Sequence, residues 1–329
     1  MRFGILVPAL TALTLTATGC SAFEGDGADA GDGVQVAAAF YPLAYVAERV
    51  AGDHADIELL TQPGTEPHDL ELTVKETAVV AGADLVVYQH GFQAAVDKAV
   101  EQNATGATVD VEEVVDLLPA DAEDDHDHDH ADEDEHADDD GHADEDEHAD
   151  EDEHDHGDVD PHFWLDPVRM ADLGDAVADE LADLDPDHAD DYTANAAAMR
   201  DDLTALDEEY VDGLATCERD TIVVSHDAFG YLDKYGVHVA AIAGLSPDAE
   251  PTPADLGELH DLIESDGITT VFSERLAPKQ LAESLARDAG VTTAVLDPIE
   301  GLTSETADED YLSLMRANLD ALRTANGCA

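Results

Sequence analysis

One helical pattern runs without a break over residues 186–216, and on either side of it short apolar runs alternate with helical segments. Tyr192, Met199, Leu203, Leu206 and Tyr210 recur at helical spacing, and the stretch contains no Gly and no further Pro before Gly213. At 1.5 Å per residue such a helix reaches roughly 40 Å, which makes it a stiff spacer and not a hinge. Before it, residues 34–40, 56–60, 84–88 and 107–111 read as strands, with a helix from Pro42 and a capping box at Thr73-Val-Lys-Glu76. Asp166-Pro167 then opens a helix striped by Met170, Leu173, Val177, Leu181 and Leu184. After the spacer, strands are expected at 221–225, 237–242, 268–273 and 292–296, with Thr252-Pro253 starting one of the intervening helices. Strands that alternate with helices form mainly parallel sheets covered on both faces. The expected fold is therefore α/β, with two lobes (34–185 and 217–329), each a mainly parallel four-stranded sheet flanked by helices, joined by one long rigid helix.

The ends of the chain suggest where it works. Arg2, an apolar stretch over residues 5–15 and Ala17-Thr-Gly-Cys20 have the form of an export signal over residues 1–19. The apolar stretch is too short to span a bilayer. A cysteine directly after Thr-Gly fits a lipobox, so Cys20 is expected to carry the lipid, and the small, acidic, Gly-rich residues to 33 form a flexible tether. The expected location is the outer face of the cell membrane. In an exported chain the remaining pair, Cys217 and Cys328, is expected to form a disulfide.

Charge narrows the class of partner. The formal net charge is −67, and residues 121–160 alone hold 24 acidic and no basic residues. The rest still sets 56 acidic against 13 basic residues. So acidic a body disfavours nucleic acid and favours cations, and the same charge serves solubility in salty surroundings. Within the run at 121–158 the hexamer Ala-Asp-Glu-Asp-Glu-His occurs three times, and His126, His128, His130, His136, His142, His148, His154 and His156 supply eight of the sixteen histidines. Such a sequence buries too little apolar surface to order itself. Its spaced imidazoles suit an accessory loop that collects metal weakly.

Four candidate metal ligands are expected on four separate strand ends. They are His68 in Pro63-Gly-Thr-Glu-Pro-His-Asp-Leu, His162 in Asp160-Pro-His-Phe-Trp-Leu-Asp-Pro, His226 in Ser225-His-Asp-Ala-Phe and Asp297 in Val295-Leu-Asp-Pro. In open parallel sheets ligands bind beyond the carboxyl ends of the strands. Three imidazoles and a carboxylate suit tetrahedral zinc, and four protein donors leave no open position for catalysis. Glu66 and Glu274 are expected to support these ligands from behind. A metallohydrolase is disfavoured, because no HExxH or nucleophile elbow is present.

With Phe40-Tyr-Pro-Leu, Pro63-Gly-Thr-Glu-Pro-His-Asp-Leu, Asp160-Pro-His-Phe-Trp-Leu-Asp-Pro, Val224-Ser-His-Asp-Ala-Phe-Gly-Tyr-Leu and Val295-Leu-Asp-Pro in this order, the chain resembles the solute-binding lipoproteins of ABC importers for zinc and manganese. It is most similar to the zinc-specific branch. The resemblance implies Zn2+, with Mn2+ second, as cargo held between two lobes by His68, His162, His226 and Asp297. It also implies a membrane permease as partner, no enzymatic activity and a monomer. Where manganese-binding relatives commonly have Glu, this sequence has His226, and imidazole favours zinc. A manganese-binding adhesin-like lipoprotein and a passive surface metal buffer are the alternatives.

Overall fold

Val34–Ala38 (β1) is buried at its carboxyl end and pairs in parallel with Ala55–Leu59 (β2) on one side and Leu85–Tyr88 (β3) on the other. Ala107–Asp110 (β4) extends the sheet from β3, giving the order β2-β1-β3-β4. This is a computed structural model, and it describes residues 33–120 and 159–329. The expected export signal, Cys20 with its tether and the His-rich loop at 121–158 lie outside the described residues.

The helices of this part begin where local chemistry places them. Tyr41–Ala51 (α1) carries Pro42 in its first turn. Val74–Gly82 (α2) opens on the expected capping box: Glu76 N donates to Thr73 Oγ1 at 3.4 Å, and Thr73 N donates to Glu76 Oε2 at 2.7 Å. Ala94–Asn103 (α3) and the single turn Val111–Val114 (α4) follow. In Pro167–Leu184 (α5), Asp166 Oδ1 accepts from Val168 N at 2.9 Å, as an N-cap should. Met170, Leu173, Val177 and Leu181 are buried, whereas Leu184, at the end of the stripe, is exposed.

The spacer is present as Ala189–Leu214 (α6), preceded by a 3-10 turn at Pro186–His188. Its buried residues include Tyr192, Met199, Leu203, Leu206 and Tyr210, and each fully buried aliphatic side chain among them contributes about 1.5–3 kcal/mol. The helix packs closely on α5. A Cβ on Gly174 would meet Met199 Cε at 2.1 Å, so any larger residue there would have to displace the end of the Met199 side chain.

Beyond α6, Thr221–His226 (β5), His238–Ala243 (β6), Thr270–Ser273 (β7) and Thr292–Val295 (β8) form a second all-parallel sheet in the order β6-β5-β7-β8. Pro253–Ser265 (α7), Gln280–Ala289 (α8) and Tyr311–Asn326 (α9) are its helices. Alternate residues of β5 enter different cores. Ile222 and Val224 join the main one, while Val223 packs with Ile242, Leu259, Ile263, Val271 and Leu285. That is how a strand covered on both faces must be built. The main core continues from the first sheet through α5, α6 and α9 into the second, and Tyr210 donates its hydroxyl hydrogen to Met315 O at 2.7 Å where α6 meets α9. Cys217 and Cys328 are disulfide-bonded, tying the end of α9 to the chain entering β5.

Candidate metal centre

The carboxyl ends of both sheets lead to one buried polar seam. His68 lies on the loop after β2, His226 is the last residue of β5, and Glu274 directly follows β7. His162 precedes a short 3-10 turn, Phe163–Leu165, which runs into α5. The structure brings His68, His162 and His226 together, with side-chain nitrogens and one oxygen of Glu300 all within 4.8 Å of one another. All four residues are buried, His162 and His226 completely.

Asp297 is not in that group, which corrects the expectation from sequence. Its Oδ2 pairs with Arg275 Nε at 2.9 Å, and its Oδ1 accepts from Ile299 N at 2.9 Å. Both carboxylate oxygens are thus turned to the chain itself. Glu300, three residues on, takes the place expected of Asp297. The residue between Pro298 and Glu300, Ile299, has a φ of 60°, a left-handed conformation that turns the chain back toward the histidines.

The separations are close to those of donors around a small metal ion. Glu300 Oε1 lies 3.2 Å from His68 Nε2, 3.5 Å from His226 Nε2 and 3.7 Å from His162 Nε2, and the Nε2 atoms of His162 and His226 are 3.4 Å apart. Donors about 2.0–2.2 Å from a tetrahedral zinc lie about 3.3–3.6 Å from each other.

Carboxylates behind the rings orient them. Asp160 Oδ1 is 2.8 Å from His162 Nδ1 and also accepts from His162 N at 2.9 Å. Glu274 Oε1 repeats the arrangement on His226, at 2.8 Å from Nδ1 and 3.1 Å from the backbone N. With a hydrogen on each Nδ1 donated outward, the Nε2 lone pairs face the centre. Glu66 supports His68 differently: its Oε1 accepts from His68 N at 3.1 Å and so shapes the loop. His90, His238 and His260, by contrast, are surface residues.

Close approach fixes the Asp160 carboxylate in turn. A Cβ on Gly230 would lie 2.7 Å from Asp160 Oδ2, so a larger residue there would push the carboxylate aside, and Tyr231 donates its hydroxyl hydrogen to Asp160 O at 2.8 Å. Trp164 stacks edge-on to His162, with ring centroids 5.2 Å apart, and its Nε1 donates to Pro298 O at 2.6 Å. The His162 turn and the Glu300 turn are thereby joined.

The three rings differ in basicity. Burial would lower His226, but hydrogen bonds and charge from Glu274 and Glu300 outweigh it and push it up to about 10. Burial holds His162 below its ordinary value, with Asp160 opposing and the other two histidines assisting. Burial would raise Glu300, but its bonds to His226 and His68 overcome this and hold it well below the usual carboxylate range. The arrangement can grip a small divalent cation in exchange for protons.

A second acidic group, Glu66, Asp69 and Asp248, lies beside His68 at the surface. Among the described residues no helix is long and apolar enough to cross a membrane.

Comparison with known proteins agrees with this architecture. The family model described as the periplasmic zinc-uptake complex component A matches residues 36–325. The chain is 36% identical to the zinc-binding lipoprotein AdcA of Streptococcus pneumoniae over 98% of its length, but spans only 60% of that relative. It is 31% identical to the high-affinity zinc uptake system protein ZnuA of Bacillus subtilis, covering 97% of this chain and 96% of that one. Among solved structures, the Zn(II)-bound ZnuA-like domain of Streptococcus pneumoniae AdcA aligns with a TM-score of 0.70 and 33% identity, covering 89% of this chain and 99% of that domain. The chain belongs to the family of zinc-uptake complex component A proteins.

Proposed function

We propose that this protein binds Zn2+ outside the cytoplasm through His68, His162, His226 and Glu300 and delivers it to the permease of an ABC importer. The observation that carries the reading is that Glu300 Oε1 lies 3.2–3.7 Å from all three Nε2 atoms and the Nε2 atoms of His162 and His226 are 3.4 Å apart, close to the spacing of donors around tetrahedral zinc. Three imidazoles and one carboxylate favour borderline-soft zinc over manganese, which prefers oxygen. Three neutral rings and Glu300 leave bound Zn2+ with one positive charge. Asp160 and Glu274, buried behind the rings, offset it and make the buried charge tolerable. Four protein donors leave no position for a reacting water, which supports carriage over catalysis.

The Bacillus subtilis relative is a high-affinity zinc uptake system protein, which supports the same assignment here. Anchoring through a lipid on Cys20 and action as a monomer complete the reading, with the histidines at 126–156 as an accessory collecting loop and 34–185, 186–216 and 217–329 as the working lobes and spacer.

The test is a chelator-competition titration of the mature chain with Zn2+ and Mn2+. One tight equivalent of zinc, lost in His162→Ala and His226→Ala, is expected. Tight binding that survives both substitutions would move the function to the His-rich loop and favour a passive buffer. Preference for Mn2+ would favour the adhesin-like alternative.

A further inference from the structure

We propose that Asp297 and Arg275 are positioning residues that set how firmly Glu300 is presented to the metal. The inference rests on the reading of Glu300 as the fourth donor. Every residue of the turn leading to Glu300 is held by a different partner. Asn318 clamps the backbone of Asp297 from both sides, accepting from its N–H at 2.9 Å and donating to its carbonyl at 2.6 Å. Trp164 holds the Pro298 carbonyl, and Asp297 Oδ1 holds the Ile299 N–H. Ile299 is the only non-glycine residue with a positive φ among the described residues, and β-branched residues resist that conformation. The turn therefore persists only because its surroundings enforce it.

Arg275 is the enforcing charge. It reaches Asp297 Oδ2 at 2.9 Å and Glu305 Oε2 at 3.2 Å, bracing both sides of the loop that carries Glu300. Its chain neighbour Glu274 orients His226. Two adjacent residues at the end of β7 thus control two donors from different elements, one through the ring of His226 and one through the turn of Glu300. Without the ion pair, Asp297 no longer anchors the turn, and Glu300 samples positions from which it does not meet the three Nε2 atoms.

A double-mutant cycle on the full chain tests this. Asp297→Asn keeps the size of the side chain and an oxygen for Ile299 N but removes the ion pair. It should weaken zinc binding about 10–100-fold, the range for loss of an outer support. Arg275→Lys should retain more affinity than Arg275→Ala. In a Glu300→Gln background, Asp297→Asn should cost less than about twofold more, because its effect passes through Glu300. With Co2+ as probe, Asp297→Asn should alter the visible bands of the protein that has Glu300 and leave those of Glu300→Gln unchanged. Equal losses in both backgrounds, or a lower melting temperature of the metal-free protein with unchanged zinc affinity, would overturn the proposal and leave a structural role. If Glu300→Gln itself does not weaken zinc, the ligand reading fails and the proposal falls with it. If Glu300→Gln weakens zinc but Asp297→Asn does not, only the positioning role is wrong.

Discussion

Glu300 Oε1 lies 3.2 Å from His68 Nε2, although 232 residues separate them in sequence. One comes from the loop after β2 and the other from the turn after β8, so the contact spans the carboxyl ends of both sheets. It is reinforced nearby, where Gly64 N donates to Leu302 O at 2.7 Å. A cation bound at this point ties the two sheets together directly, and its loss removes a buried link between them.

The carboxylates behind the rings supply the first prediction. Asp160→Asn and Glu274→Gln keep shape but remove the charge that fixes the imidazole hydrogens on Nδ1. Each should weaken zinc about 10–100-fold while the stoichiometry stays at one. Gly230→Ala should act in the same direction as Asp160→Asn, because its Cβ displaces the Asp160 carboxylate. Isothermal titration with a competing chelator measures all three, and wild-type affinity in Glu274→Gln would rule out this orienting role.

Proton exchange gives the second. In the metal-free protein the His226 pKa is pushed up to about 10, so the ring is protonated at pH 8, where an ordinary histidine is not. Zinc must displace that proton from Nε2. Between about pH 7 and 9, apparent affinity should rise about tenfold per pH unit and level off above 10. His162, held low by burial, is already neutral and adds no proton in this window. Calorimetry at pH 8 in buffers of different ionisation enthalpy should show about one proton released per zinc. Release of none would mean that His226 is neutral before metal arrives.

Local signals made much of this legible in the sequence. The capping box at Thr73, the Asp166-Pro167 helix start and the spacer helix each depend on residues a few positions apart, and they occur as expected. His68 and His226 follow or end strands as their short runs announce, whereas His162 precedes the 3-10 turn that leads into α5. Strand limits came out one or two residues off, since the last paired residue depends on the neighbouring strand. Glu300, by contrast, is not among the ligands expected from the sequence. It and Asp297 both follow β8, and Asp297 is nearer the strand. What removes it from the centre is Arg275, a charge delivered by β7 and adjacent to Asp297 only once the two strands have paired. The sequence holds a hint in the second carboxylate followed by Gly301, but spacing alone does not rank the two acids.

Ionic strength should matter more here than for an ordinary protein. The chain has 80 acidic residues and only 13 Lys and Arg, so most carboxylates cannot be matched one to one by a cation. Their mutual repulsion opposes the compact state. Raising NaCl from 0.1 to 1 M shortens the screening length from about 10 to about 3 Å, so the melting temperature should rise on the order of several degrees. Sucrose at equal osmolality controls for general exclusion effects. A melting temperature that is flat or falls with salt would show that repulsion is not a major cost.

The disulfide should act on the unfolded chain more than on the folded one. Even without it, the tail is held beside the start of the second sheet. Glu218 N and Arg219 N both donate to Asn326 O, and Ala329 N donates to Thr216 O. The bridge closes a separation of 111 residues, for which chain entropy gives about 4–5 kcal/mol. The double substitution Cys217→Ser, Cys328→Ser should therefore lower the unfolding free energy by about 2–5 kcal/mol. Because the unconstrained chain exposes more surface, the urea m-value should increase. Zinc affinity should change less than about twofold, since Cys217 precedes β5 and His226 ends it, and distant sites act independently. Urea titration of the metal-free protein, with a zinc titration of the same sample, separates these effects. A large loss of zinc affinity at unchanged stability would instead make the bridge part of the machinery that holds the site in shape.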